Sequence, residues 1–155
     1  DDDTPFTSSV SLVVALDEAL KLMLAKGIEQ VIADCAQLGR ATRAGMRALG
    51  LELFSQQPAN GVTAVKVPAG VDGKQLTKIM YDRSRVMVAG GQGQMAGKIF
   101  RFAHMGYIGP NDVLAGFRAL EQALGELGYA VTPGAGASAA EVLLKTAAPA
   151  QAGAR

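Results

Sequence analysis

The 155-residue chain has one cysteine, one histidine, no tryptophan and few aromatic residues. A single thiol, Cys35, forms no internal disulfide. One Cys with one His cannot supply the clustered ligands of zinc or iron–sulfur centres, so any metal chemistry would rest on carboxylates. An excess of one charge is also missing: 15 Lys and Arg against 14 Asp and Glu leave a net charge of +1, which gives nucleic acid no broad attractive field. Long apolar runs are absent as well. The stretch Leu12 to Leu16 is far short of the roughly 20 residues of a membrane span. The opening Asp1-Asp2-Asp3 is the reverse of a basic secretory start. With 49% hydrophobic and 19% charged residues, the composition is that of a packed globule, and a cytoplasmic location is expected.

Glycine, by contrast, is plentiful, at 19 positions. Some of these glycines punctuate helices. After a polar lead-in containing Pro5, Leu12, Val13, Leu16, Leu20, Met23 and Leu24 recur at helical spacing, and Gly27 is placed to end that helix. A second helix is expected from about Ile28 to Leu49, with the stripe Ile28, Val31, Ile32, Cys35, Leu38 and Thr42, and Gly50 as its stop. On that stripe Cys35 reads as a small core hydrophobe rather than a reactive thiol.

From Leu51 the apolar period changes to two. Short strands are expected at Leu51 to Phe54, Val62 to Val67, Val86 to Ala89 and Ile99 to His104. Asp72 and Gln75 predict a capping box for a helix from Gly73 to about Arg83, and Asn111 is expected to cap a last strong helix through Val113, Phe117, Leu120 and Leu124. The order predicts an α+β fold: a small mixed sheet with helices mainly on one face. Three parts are expected, namely a lead-in and linking helix over 1–27, a small α+β domain over 28–127, and an Ala/Gly-rich tail over 128–155 with a short helix over 138–147.

The loop Gly90-Gly91-Gln92-Gly93-Gln94-Met95-Ala96-Gly97 has the densest glycine cluster. It is not a phosphate loop, because Gly91 stands six positions before Gly97 and Ile99 occupies the hydroxyl position. It is a poor dinucleotide fingerprint too, because a strand follows it and no helix N-terminus is there to hold a pyrophosphate. A close backbone approach to a neighbour or ligand is the better account. In the strand that follows, Ile99, Arg101 and Ala103 share one face and Phe100, Phe102 and His104 the other. Arg101 is either an edge charge turned to solvent or a guanidinium held in a cleft for a carboxylate or phosphate. His104 reads as a hydrogen-bonded structural histidine. Lys98, Phe100, Arg101, Phe102 and Tyr107 hint at a surface for stacking single-stranded RNA, but a second aromatic strand and a positive surround are lacking.

Several segments carry a resemblance. Val86-Met-Val-Ala-Gly-Gly-Gln-Gly93, followed by Gly97-Lys-Ile-Phe-Arg-Phe-Ala-His-Met-Gly-Tyr107, resembles the C-terminal signature of class V pyridoxal-phosphate aminotransferases of the alanine–glyoxylate and serine–glyoxylate (serine–pyruvate) type. Thr4-Pro-Phe-Thr7, Gly27-Ile-Glu-Gln, Leu49-Gly-Leu-Glu-Leu-Phe54 and Val67-Pro-Ala-Gly-Val-Asp72 keep the family's order. The resemblance implies the small C-terminal domain of a homodimeric enzyme that moves an amino group from alanine or serine to glyoxylate or pyruvate. It implies that Arg101 receives the substrate carboxylate, that Thr7, or else Thr4, approaches the cofactor phosphate of the partner subunit, and that Gly90, Gly91, Gln92 and Gly93 lie near the active site. None of Lys21, Lys26, Lys66, Lys74, Lys78, Lys98 or Lys145 has the family's Schiff-base setting. The cofactor domain is therefore expected to lie outside this chain, which alone should be inactive. The competing account is a stand-alone module binding a small anion.

Overall fold

The computed structural model describes residues 9–145, and these divide into two compact units with the boundary between Asp34 and Cys35. In the first unit, helix α1 spans Val10–Lys26 and ends at Gly27, whose φ of 87° is open to glycine at no steric cost. The N–H of Gly27 donates to the carbonyls of Met23 and Leu24, satisfying two of the helix's terminal acceptors. Helix α2 begins directly afterwards and runs over Ile28–Ala48, so the expected break at Gly27 is found. Near its start, Asp34 accepts from Gln30 at 2.6 Å and pairs with Lys26.

The second unit is built on three strands, β1 (Val62–Lys66), β2 (Ala89–Gly90) and β3 (Ile99–Ala103), in the order β1-β3-β2. Both pairings are antiparallel, which corrects the expectation of a mixed sheet. The crossover through helix α3 (Gly73–Ser84) joins β1 to the edge strand β2, and β3 then returns between them, so no two neighbours run the same way. Two expected strands shrink. Leu53 makes a single bridge with Val65, and Val86 and Val88 pack half-buried against the core without joining the ladder.

Alternation along the strands sorts the residues as expected except at Ile99, which is buried although it shares a face with Arg101 and Ala103. Val65, Thr63, Phe100, Phe102 and His104 are buried, whereas Val62, Lys66 and Ala103 are exposed and Ala64 and Arg101 half-buried. Against the buried face pack α3, helix α4 (Pro110–Glu126) and the buried residues of α2, including Leu38, Ala41 and Met46. Phe102 stacks on Phe117 of α4 with ring centroids 5.8 Å apart, an approach that Gly116 permits by having no Cβ. Asp72 caps α3 by accepting from the N–H groups of Lys74 and Gln75, but the Gln75 side chain does not return the bond, so only half of the expected capping box forms. The cap of α4 differs: Gly109 is the N-cap, Pro110 takes the first helical position where no N–H is needed, and Asp112 accepts from the Gly109 N–H. Asn111 thus lies inside the helix.

Residues 135–145 form helix α5, three residues earlier than expected, and it packs on α4 with Gly136 and Ala140 buried. Alanine and glycine bury little area but permit close helix approach, which is why a segment poor in large apolar residues still docks.

Candidate functional site

Arg101 sits at the centre of the middle strand. In the antiparallel register it lies opposite Ala64 on one side and Ala89 on the other, and paired residues of antiparallel strands project to the same face. Two methyl groups therefore flank the arginine and leave room for its guanidinium on the sheet face away from the helices. Its Nη2 donates to the carbonyl oxygen of Gly90 at 3.0 Å, and its Nε is buried without a partner. Among the described residues no carboxylate pairs with it. The account of a charge held in place, left open by the sequence, is thus the one that the geometry supports over a charge turned freely to solvent.

The glycine loop makes this anchor possible. Gly91 N–H donates to Ile99 O at 2.9 Å, extending the ladder by one bond, and a single turn of 3-10 helix follows over Gly93–Met95. A Cβ on Gly91 would lie 2.0 Å from the carbonyl oxygen of Met95, and one on Gly73, the first residue of α3, would lie 2.4 Å from that of Gly97. Close backbone approach is therefore real, but it is an approach of the loop to itself and to α3. Gly90 has open space around its Cβ position, Gln92 is exposed, and Gly93 is required for its φ of 53°. These residues place the Gly90 carbonyl beside Arg101. The loop leads into β3 and presents no long helix N-terminus, so neither nucleotide-binding motif is built.

His104 is fully buried, and its Nε2 shares a 2.9 Å hydrogen bond with Thr63 Oγ1. Burial lowers its pKa, the Arg43 charge adds to that, and the Asn60 backbone opposes it. Cys35, half-buried, donates from Sγ to Asn60 O at 3.0 Å. Both behave as structural groups. Phe100 and Phe102 lie in the core, and Tyr107, fully exposed just beyond the strand, is the one ring of that set left open, too little for a platform on which successive bases stack. Thr4 and Thr7 lie outside the described residues. Among the described residues no cluster of metal-ligating side chains occurs, and no helix is long and apolar enough to cross a membrane.

All seven lysines are exposed. Lys21, Lys26, Lys66, Lys78 and Lys145 pair with carboxylates at the surface. None is desolvated in a pocket, as a lysine that forms a Schiff base with a cofactor would be. Arg101 is thus the one half-buried basic side chain of the sheet, anchored to a backbone carbonyl, whereas the lysines stand at the surface.

What sequence reasoning missed is the frame around the arginine: Ala64, Ala89 and the Gly90 carbonyl. Alternation assigned each alanine a face, but only the strand register sets them beside Arg101.

No protein-family model matches the chain. It is 44% identical over 144 residues to an uncharacterized aminotransferase of Methanocaldococcus jannaschii, a match covering 92% of this chain and 37% of that protein. It is 35% identical over 144 residues to the serine–glyoxylate aminotransferase of Arabidopsis thaliana, covering 91% and 36%. The solved structure of pyridoxamine–pyruvate aminotransferase from Mesorhizobium loti superimposes with a TM-score of 0.88 at 36% identity, covering 96% of this chain and 39% of that one. The chain thus spans little more than a third of the length of the curated relatives it matches.

Proposed function

We propose, for a chain whose sequence and fold are those of the C-terminal domain of a class V aminotransferase, that Arg101 receives the α-carboxylate of the substrate in transamination between a small amino acid and a 2-oxo acid. Alanine or serine is the donor and glyoxylate or pyruvate the acceptor. The observation that carries this is the state of the Arg101 guanidinium: half-buried, anchored at one nitrogen, flanked by methyl groups and without a carboxylate.

A half-buried cation with no counter-ion gains most from an anion that brings one. The guanidinium is planar and delocalised, so a carboxylate can meet it with two parallel hydrogen bonds. Because Nε is buried and one Nη2 hydrogen is committed to Gly90, the free donors are those of Nη1 and the remaining hydrogen of Nη2. The Gly90 carbonyl fixes the plane before the substrate arrives, so less orientational entropy is lost on binding. A substrate so held has its α-amino group in a defined place relative to its carboxylate.

Pyridoxal phosphate, when bound, supplies the electron sink for the transfer. With no suitable lysine here, the cofactor belongs to the part of the enzyme outside this chain. The proposal carries with it a cytoplasmic homodimer, in which Thr7, or else Thr4, reaches the cofactor phosphate of the partner subunit. A hydroxyl can donate to a phosphate oxygen there.

The test is kinetic. In the full-length enzyme, Arg101→Ala should raise KM roughly 10- to 100-fold for amino acid and 2-oxo acid alike, the range expected for removing a charge-assisted hydrogen bond. An unchanged KM rejects the assignment. This chain mixed alone with pyridoxal phosphate should show no covalent cofactor–lysine absorbance band, and a stoichiometric band would place the cofactor lysine in the chain itself.

A further inference from the structure

Ile99 is buried on the open face of the sheet because the glycine loop lies against it: a Cβ on Gly91 would stand 2.9 Å from Cγ1 of Ile99. Arg101 is the next residue along that face. The loop has little support of its own. Gln92, Gly93, Gln94 and Ala96 are exposed, and the edge strand that leads into it has two residues. A segment so rich in glycine has many conformations to lose, so its carbonyl can hold a guanidinium in place only if something else holds the carbonyl.

The support comes from α3. A Cβ on Gly73 would lie 2.4 Å from the Gly97 carbonyl oxygen and 2.8 Å from Cγ2 of Val67, so the backbones of loop and helix are in direct contact there. Gly73 is buried in the first turn of α3, which Asp72 caps, and the helix is fixed to the core through Leu76 and Met80, both fully buried. From Gly97 the path back to the arginine is short. Lys98 N–H donates to Met95 O at 3.0 Å, and that same oxygen would lie 2.0 Å from a Cβ on Gly91, the neighbour of the Gly90 carbonyl.

We propose that Gly73 is a positioning residue for the carboxylate site: its contact with the Gly97 carbonyl holds the loop, and through it the Gly90 carbonyl, where the Arg101 guanidinium is oriented. This rests on the functional reading above and adds to it a residue 28 positions before the arginine. A Cβ at Gly73 meets loop backbone rather than the end of a flexible side chain, so the loop must move. Misplacing a positioned group by about 1 Å can cost roughly 100-fold. The substrate carboxylate is not altered by transamination and is held alike before and during the reaction, so the loss falls on KM and not on kcat.

In the full-length enzyme Gly73→Ala should raise KM for amino acid and 2-oxo acid roughly 3- to 10-fold, with kcat changed less than about twofold. In an Arg101→Ala background it should add less than about twofold, because it acts through the arginine. Gly70→Ala is the control: Gly70 has a φ of 82° and meets nothing within 4 Å, so alanine there strains the backbone without touching the loop. It should lower the thermal midpoint and leave KM unchanged. An unchanged KM in Gly73→Ala, an equal rise in Gly70→Ala, or a full effect without Arg101 overturns the proposal. Should Gly73→Ala fail to fold, Asp72→Ala keeps the glycine but frees the turn that carries it, and replaces it in each measurement with the same expected and overturning results. Nuclear magnetic resonance of the 155-residue chain separates this from the functional reading. The buried Nε–H of Arg101 should give a slowly exchanging signal that moves and exchanges faster in Gly73→Ala but not in Gly70→Ala. A moved signal with a normal KM for Arg101→Ala would sink the carboxylate assignment while confirming that Gly73 orients the arginine, and an unmoved signal overturns the positioning role whatever KM does.

Discussion

One carboxylate oxygen of Glu121, in the body of α4, accepts a hydrogen bond at 2.9 Å from the backbone N–H of Gly136 at the start of α5. The same side chain accepts from Gly134 N–H at 2.6 Å and Ala137 N–H at 3.3 Å, so one buried acid satisfies three donors at a helix N-terminus. An anion there also meets the positive end of the helix dipole. Glu121 thus tethers the last helix to the core.

Glu121→Ala should therefore release α5 more than it disturbs the sheet. Three donors lose a charged acceptor near the core, and the expected loss is about 2–3 kcal/mol. Denaturant unfolding would show the lower midpoint, and amide exchange should quicken over residues 135–145 before it does so in β3. Uniform quickening across the second unit would instead mean that α5 and the sheet unfold as one.

Most of the helices could be read from the sequence because their signals are local. Gly27, Asp72 and the apolar stripe of α4 act within one or two turns, so spacing was enough. Pro110 carried a local signal too, and it outweighs Asn111 because a proline at the first helical position costs no hydrogen bond. The sheet was less legible. A two-residue edge strand at Ala89–Gly90 has no periodicity to detect, and the antiparallel direction of every pair depends on where β3 inserts. Arg101 was conspicuous as a charge between Ile99 and Ala103, but its frame is non-local: Ala64 is 37 positions before it and Ala89 twelve before. For α5 the composition was misleading, because docking relies on the Glu121 tether and on small residues rather than on large apolar area.

The register predicts a substitution that interferes with the site without removing its arginine. Ala89 lies directly opposite Arg101, so in Ala89→Asp a carboxylate stands beside the guanidinium. Opposite charges paired across strands stabilise by about 0.2–1 kcal/mol, so the fold should be retained or slightly strengthened. In the full-length enzyme the internal carboxylate should compete with the substrate's, raising KM roughly tenfold or more while the thermal midpoint holds or rises. Unchanged KM with a raised midpoint would mean that the guanidinium serves only the sheet.

Two glycines of α4 should respond oppositely to alanine. A Cβ on Gly116 would lie 2.1 Å from Cζ of Phe102, which is itself stacked on Phe117, so Gly116→Ala must push the central aromatic pair apart. Overpacking of this kind costs about 1–3 kcal/mol. Gly125 meets nothing within 4 Å and has ordinary helical φ, so Gly125→Ala should gain about 0.5–1 kcal/mol from helix propensity alone. Urea unfolding of the two variants side by side should move the midpoint down for the first and up for the second.

His104 is the only histidine, so a stability change between about pH 7 and pH 5 can be assigned to it. Burial is the largest influence on its imidazole and lowers its pKa from the ordinary 6.5, and the nearby Arg43 charge acts in the same direction. Below pH 6.5 the unfolded chain takes up a proton that the folded chain refuses, so the unfolded state is favoured progressively as the pH falls. Stability should accordingly be level above about pH 7 and decline from 6.5 downward, until the folded-state imidazole itself protonates. Replacing the ring removes the effect: in His104→Gln the thermal midpoint should be lower overall, because a fully buried side chain is altered, but flat across this window. A wild-type midpoint that does not change from pH 7 to pH 5 would mean that the imidazole is as easily charged in the core as in water. The Thr63 hydrogen bond and the Asn60 backbone would then have to offset the whole cost of burial.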